Sequence, residues 1–131
     1  MRQKVVSALR SMDAVSVETA ACPGTPDVNY VEGWLELKSL PAWPKRPETP
    51  VRIDHLTPQQ RVWLWARDKA GGAAWLLLKV ADDWLLFQPP VVTAPAFGRE
   101  WPKQMLINVA AEIWFGGLVD AELLEVIREA T

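Results

Sequence analysis

The spacing of apolar positions along this chain changes several times, and each change predicts an element. Over Met1 to Met12, Val5, Val6, Leu9 and Met12 recur at helical spacing with Arg2, Lys4 and Arg10 around them, which predicts a short helix. From Asp13 to Ala21 the pattern turns to alternation, predicting a strand with Val15 and Val17 inward and Glu18 turned the other way. Two more alternating runs flank Glu32-Gly33, a two-residue turn signal. A tight turn there would pair Tyr30 with Leu35, Asn29 with Glu36, Val28 with Leu37 and Asp27 with Lys38. Strand side chains alternate, so Val28, Tyr30, Leu35 and Leu37 are expected in a core, with Asp27, Asn29, Glu36 and Lys38 together on the opposite face.

Beyond the hairpin, Ser39 to Pro50 contains four prolines and can only be a stiff loop. Thr57-Pro58 opens a helix, with Thr as N-cap and Pro at the first position, and Gly71-Gly72 stops it near Ala70. Val62, Trp63, Leu64, Trp65 and Ala66 leave little of that helix polar, which predicts packing on more than one side. Ala73 to Ala81 is apolar almost throughout, as a central strand covered on both faces would be. Asp82-Asp83 turns the chain and Trp84 to Gln88 returns beside it, making the sheet mixed. Lys103 to Phe115 and Asp120 to Ala130 read as two helices separated by Gly116-Gly117. They carry no chemistry, only packing, a partner surface or a dimer contact. The expectation is an α/β fold: a helix, three strands, a crossover helix and further strands, then C-terminal helices. One domain covers 1–131, with a core over about 1–88 and a helical extension over about 101–131.

Composition narrows the setting. The chain has 131 residues, half of them apolar, and no run long enough to span a bilayer. A soluble, cytoplasmic protein is expected, without membrane association. The single cysteine, Cys22, suits a small buried thiol before a turn better than a nucleophile, because the single histidine is all that could serve it. That histidine, His55, sits between Asp54 and a helix start, where capping or loop hydrogen bonding is the ordinary role. Net charge is −2, but it is unevenly spread: residues 1–70 hold ten Lys/Arg and eight Asp/Glu, residues 71–131 four and eight. A phosphate-facing surface is therefore expected in the first half.

The chemistry concentrates on the polar face of the hairpin. In the expected register Asp27 and Glu36 are diagonal neighbours with Cα atoms roughly 7–8 Å apart, close enough for one cation to sit between their carboxylates. A hard divalent ion such as magnesium (Mg2+) suits that donor set. Lys38, two residues beyond Glu36 on the same face, could orient or help deprotonate an attacking water and offset charge on a phosphate. The plainer reading is a solvated hairpin face. The Pro-rich loop leaves directly from Lys38, so Trp43, Lys45 and Arg46 are expected beside the site, a stacking ring and two cations suited to a nucleic-acid backbone. Gln60 and Arg67 share one helix face by i, i+7 spacing.

The ordered set Gly24-Thr25-Pro26-Asp27, Glu36-Leu37-Lys38, Pro58-Gln59-Gln60 and Ala70-Gly71-Gly72 resembles the PD-(D/E)XK nuclease superfamily. Within it, the order looks most similar to the VRR-NUC and phage or prophage Holliday-junction-resolvase-like branches. The likeness covers about Val15 to Val80. It implies a restriction-endonuclease-like core and a metal-dependent endonuclease that hydrolyses DNA phosphodiester bonds, branched or junction DNA included, with magnesium replaceable by manganese. It also implies that Asp27 and Glu36 hold the ion with the Leu37 carbonyl, that Lys38 acts on the water, and that Gln60 approaches the lysine or a phosphate. Relatives often carry another acid on the first helix, and this one has none. Glu18 is the candidate for that auxiliary ligand. Cutting two strands with one small site favours a symmetric homodimer, for which the apolar helix and the surplus of tryptophans are the candidate surface. The competing reading is a catalytically inactive nucleic-acid-binding module with the same fold.

Overall fold

A run as apolar as Ala73–Val80 needs cover on both faces, and as strand β4 it finds it in the middle of a six-stranded sheet. The computed structural model describes residues 1–17 and 24–129. β4 pairs in parallel with β3 (Gly33–Leu40), from Gly33 beside Ala73 to Leu40 beside Val80, and antiparallel with β5 (Asp83–Phe87). β1 (Val15–Ser16) and β2 (Val28–Tyr30) extend the sheet beyond β3, and β6 (Glu112–Trp114) closes the other edge, so strand order follows chain order. Parallel neighbours require a crossover. Helix α2 (Pro58–Lys69) supplies it.

Alternation along the strands divides the core in two. Leu35, Leu37, Trp75, Leu77, Trp84 and Leu86 face α1 (Arg2–Ala8) and α5 (Asp120–Glu129). Leu76, Leu78, Leu85 and Phe87 face Leu64 of α2, the segment Val51 to Leu56, and the short helices α3 (Pro89–Val92) and α4 (Lys103–Val109). Local chemistry fixes α2. Thr57 Oγ1 accepts the Gln60 N–H at 3.2 Å and the Gln60 side-chain oxygen accepts the Thr57 N–H at 2.9 Å, a reciprocal cap. Arg61 ties α2 to the end of α3 and the segment after it, its guanidinium donating at 2.6 Å to each of the carbonyls of Val92 and Phe97 and at 3.4 Å to that of Ala94.

Several elements differ from expectation, each for a physical reason. The hairpin turn is Val31-Glu32, not Glu32-Gly33: Tyr30 pairs with Gly33, Asn29 with Trp34 and Val28 with Leu35. Gly33 serves close approach instead of the turn, since a Cβ there would lie 2.4 Å from the Ala73 carbonyl oxygen and 2.7 Å from the Tyr30 hydroxyl. The slip is two residues, so every side chain keeps its expected face. Val15 is exposed, not inward, because β1 is a two-residue edge strand. Residues 18–21 of the expected strand lie outside the described residues. The helix expected over Lys103 to Phe115 ends at Val109: Ala110 turns extended, Ala111 N–H donates to Leu86 at 2.8 Å, and Ile113 and Trp114 join the sheet. A short apolar run fits either period, and the open edge of β5 decides it. Helix α2 packs on one side only, burying Leu64 and leaving Val62 and Trp65 exposed.

These ties differ in strength, and urea denaturation should rank them. Thr57→Ala removes one cap bond and should cost about 1 kcal/mol. Arg61→Met removes charge-assisted bonds to three carbonyls and should cost roughly 2 kcal/mol or more. Equal midpoints for the two variants would contradict this ranking.

Candidate active site where two strands part

The site begins with a proline. Pro26 has no N–H to extend the ladder, and β2 starts at Val28, opposite Leu35. The next N–H of β3 that points toward β2 belongs to Leu37, and Asp27 Oδ2 accepts it at 2.9 Å. A side chain has thus replaced the neighbouring backbone, and the strands part. A strand residue directs its N–H and C=O to the same edge, so the Leu37 carbonyl also faces this gap. Gly24, at φ 89°, lets the approach to Asp27 lie against α2, where a Cβ would come within 2.5 Å of the Gln59 carbonyl oxygen.

Continued one residue past Val28–Leu35, the observed register sets Asp27 directly across from Glu36, not diagonal to it. Glu36 and Lys38 alternate with the core residues Leu35 and Leu37, and α2 with its preceding segment covers their face, so both are buried, at 2% and 6% exposure. Glu36 Oε1 lies 3.4 Å from Lys38 Nζ. Its other oxygen, Oε2, is buried without a hydrogen-bond partner. Burial, and then the Asp27 charge beside it, push the Glu36 carboxyl from the ordinary 4.5 up to about 8, with Lys38 opposing. The Lys38 ammonium donates at 2.9 Å to the His55 carbonyl, which fixes it over the site. The His55 imidazole is held below its usual value by desolvation and then by the charge of Lys38.

Of the residues the sequence nominates, Asp27, Glu36, Lys38 and the Leu37 backbone converge. Glu18 lies outside the described residues. Trp43 gives its N–H to Asp83 at 2.7 Å and carries Lys103 over its ring at 4.8 Å, next to the β4–β5 turn. Lys45 and Arg46 are exposed. Gln60 is held in the α2 cap, and Arg67 lies over the Trp63 ring at 4.5 Å and the Trp34 ring at 5.9 Å. Sequence reasoning missed two participants. One is the His55 carbonyl, which no local pattern marks. The other is Arg2, whose guanidinium reaches from α1 to pair with Asp27 Oδ1 and donates to Ser16 Oγ at 3.2 Å. Its signal was a first helix with only cations where an acid was expected.

Among the described residues no group of three or more His, Cys, Asp or Glu gathers as a ligand cluster. Two carboxylates, one of them with a buried oxygen that no N–H or hydroxyl reaches, and a carbonyl nonetheless fit a hard divalent ion that keeps much of its shell for water or substrate. Comparison of the chain with protein-family models, with curated proteins and with solved structures finds no match.

The raised Glu36 value has a testable sign. A carboxyl whose pKa is higher folded than unfolded favours the folded state most below about 4.5, and that contribution is lost as pH rises to about 8. Without divalent ions, the denaturation midpoint should therefore fall between pH 5 and pH 8 in the parent. Glu36→Gln, which cannot ionise, should flatten that fall. Parallel profiles would show that Glu36 is not the titrating group.

Proposed function

We propose that the protein is a metal-dependent endonuclease with a PD-(D/E)XK-type core, hydrolysing phosphodiester bonds of DNA. The observation that carries the reading is the burial of Glu36 against Asp27, with no N–H or hydroxyl donor reaching Glu36 Oε2. Burying two adjacent acids is costly unless a positive charge joins them. The order α1, three antiparallel strands, crossover helix and parallel β4 supports the same reading.

In this reading Asp27, Glu36 and the Leu37 carbonyl hold magnesium or manganese. When bound, such an ion polarises a phosphoryl oxygen and makes water a better nucleophile. The chain's own contribution is positional. Asp27 is fixed by the Leu37 N–H, and Lys38 is held between Glu36 and the His55 carbonyl with its remaining ammonium valence available to orient the attacking water or offset charge growing on the phosphate. A homodimer, joined through the exposed Val62 and Trp65 of α2, would bring two such sites to a duplex or junction; sedimentation should show a dimer at micromolar concentration that Trp65→Glu dissociates.

The Arg2–Asp27 pair favours a second reading. Its guanidinium supplies one positive charge where an ion would, as an inactive nucleic-acid-binding module would require. Cleavage separates the two. With labelled branched and linear DNA, the parent should cut in magnesium or manganese. Glu36→Gln should lose at least about 100-fold in rate while keeping its affinity in calcium, since only the ion's shell changes. Lys38→Ala should lose turnover and retain ion binding. A parent without activity on any substrate would favour the binding module, and a Glu36→Gln variant as fast as the parent would remove Glu36 from the ion's shell.

A further inference from the structure

We propose that the groove between α1 and the edge strand β1 is a phosphodiester-binding surface, along which a nucleic-acid strand passes as it leaves Asp27. The inference rests on the nucleic-acid reading above for its ligand and adds the surface that holds it. The groove encloses about 520 Å³ and is lined by Arg2, Gln3, Val6, Ser7, Arg10 and Ser16. Residues 2, 6 and 10 and residues 3 and 7 follow i, i+4 spacing, so they form one continuous face of the first helix and the turn that follows it.

That face is chemically one-sided. Its described lining residues carry two guanidinium groups, of which Arg2 also pairs with Asp27, an amide and two hydroxyls, all groups able to donate to phosphate oxygens, and among those residues there is no carboxylate. The remaining cation of α1, Lys4, points elsewhere and is taken by Asp120 of α5 at 2.8 Å. Arg10 is exposed and has no ion pair among the described residues. Arg2 connects the groove to the catalytic gap, because it lines the groove and pairs with Asp27. Charge complementarity therefore continues from the carboxylate that would face the scissile phosphate to cations placed for its neighbours. The Pro-rich loop offers less, since its ring, Trp43, is already engaged by Asp83 and Lys103.

The test is fluorescence anisotropy of labelled duplex and branched DNA with the full chain in calcium, over a range of salt. Arg10→Glu should weaken binding about tenfold or more near 100 mM salt. Arg10→Gln, which keeps a neutral polar side chain should the charge reversal disturb folding, should lose less and lower the salt slope by about one. The double variant Lys45→Glu, Arg46→Glu should lose less affinity than Arg10→Glu if the groove is the main track. A parent that binds while both Arg10 variants bind equally well would overturn the groove and leave the nuclease reading intact. The same holds if the loop variant alone loses affinity. A parent that binds no nucleic acid under any condition would overturn both together.

Discussion

The structure turns on burying one carboxylate against another. Glu36 sits almost fully enclosed, with Asp27 across the gap and a single ammonium at 3.4 Å. Keeping Glu36 ionised there is costly, through lost hydration and the like charge beside it, which is why its carboxyl holds a proton up to about pH 8. The surrounding fold holds the arrangement in place. Pro26 ends the ladder, the Asp27 side chain takes over the Leu37 N–H, Gly24 admits the chain against α2, and the segment before α2 brings the His55 carbonyl to Lys38. A site that exists only to stabilise the sheet would be better built from two more leucines, as at Leu76 and Leu78 on the neighbouring strand. An expensive arrangement placed where the strands part is the physical basis for reading it as functional.

Positive charge can balance this site in two ways, and both are within reach. A divalent ion would lie between the acids and lower the proton affinity of Glu36. Arg2 already pairs with Asp27 and is in contact with the groove beside it. These need not compete as explanations. A guanidinium that pairs with Asp27 when no ion is bound can turn toward phosphate when one is, because the groove and the gap share that residue. The partition of the other cations fits this view, with Lys4 committed to α5 and Arg67 to two indole rings.

What could be read from the sequence depended on whether local chemistry decided the outcome. Helix α2 was legible to within a residue because Thr57, Pro58 and Gly71-Gly72 are start and stop signals in themselves, although Gln60, expected near the lysine or a phosphate, instead completes the cap. The faces of the hairpin were legible although its register was not, because a two-residue slip leaves side-chain parity unchanged. The turn was misplaced because Gly33 serves the contact with Ala73, a tertiary demand that no hairpin rule contains. The sixth strand was missed for a similar reason: Glu112 to Trp114 becomes a strand because β5 has an open edge. Asp27, Glu36 and Lys38 could be nominated from spacing and resemblance. The His55 carbonyl could not, since no local pattern marks it, and Arg2 left as its signal only a first helix with cations where an acid was expected.

The central claim is that Asp27 and Glu36 form a divalent-ion site. Crystals of the full chain soaked in manganese, with anomalous data collected at its absorption edge, test it most directly. A peak is expected within coordination distance of Glu36 Oε2 and Asp27, with the Leu37 carbonyl turned to it and Arg2 displaced from Asp27. No peak there at millimolar manganese, with Arg2 still paired to Asp27, would contradict it.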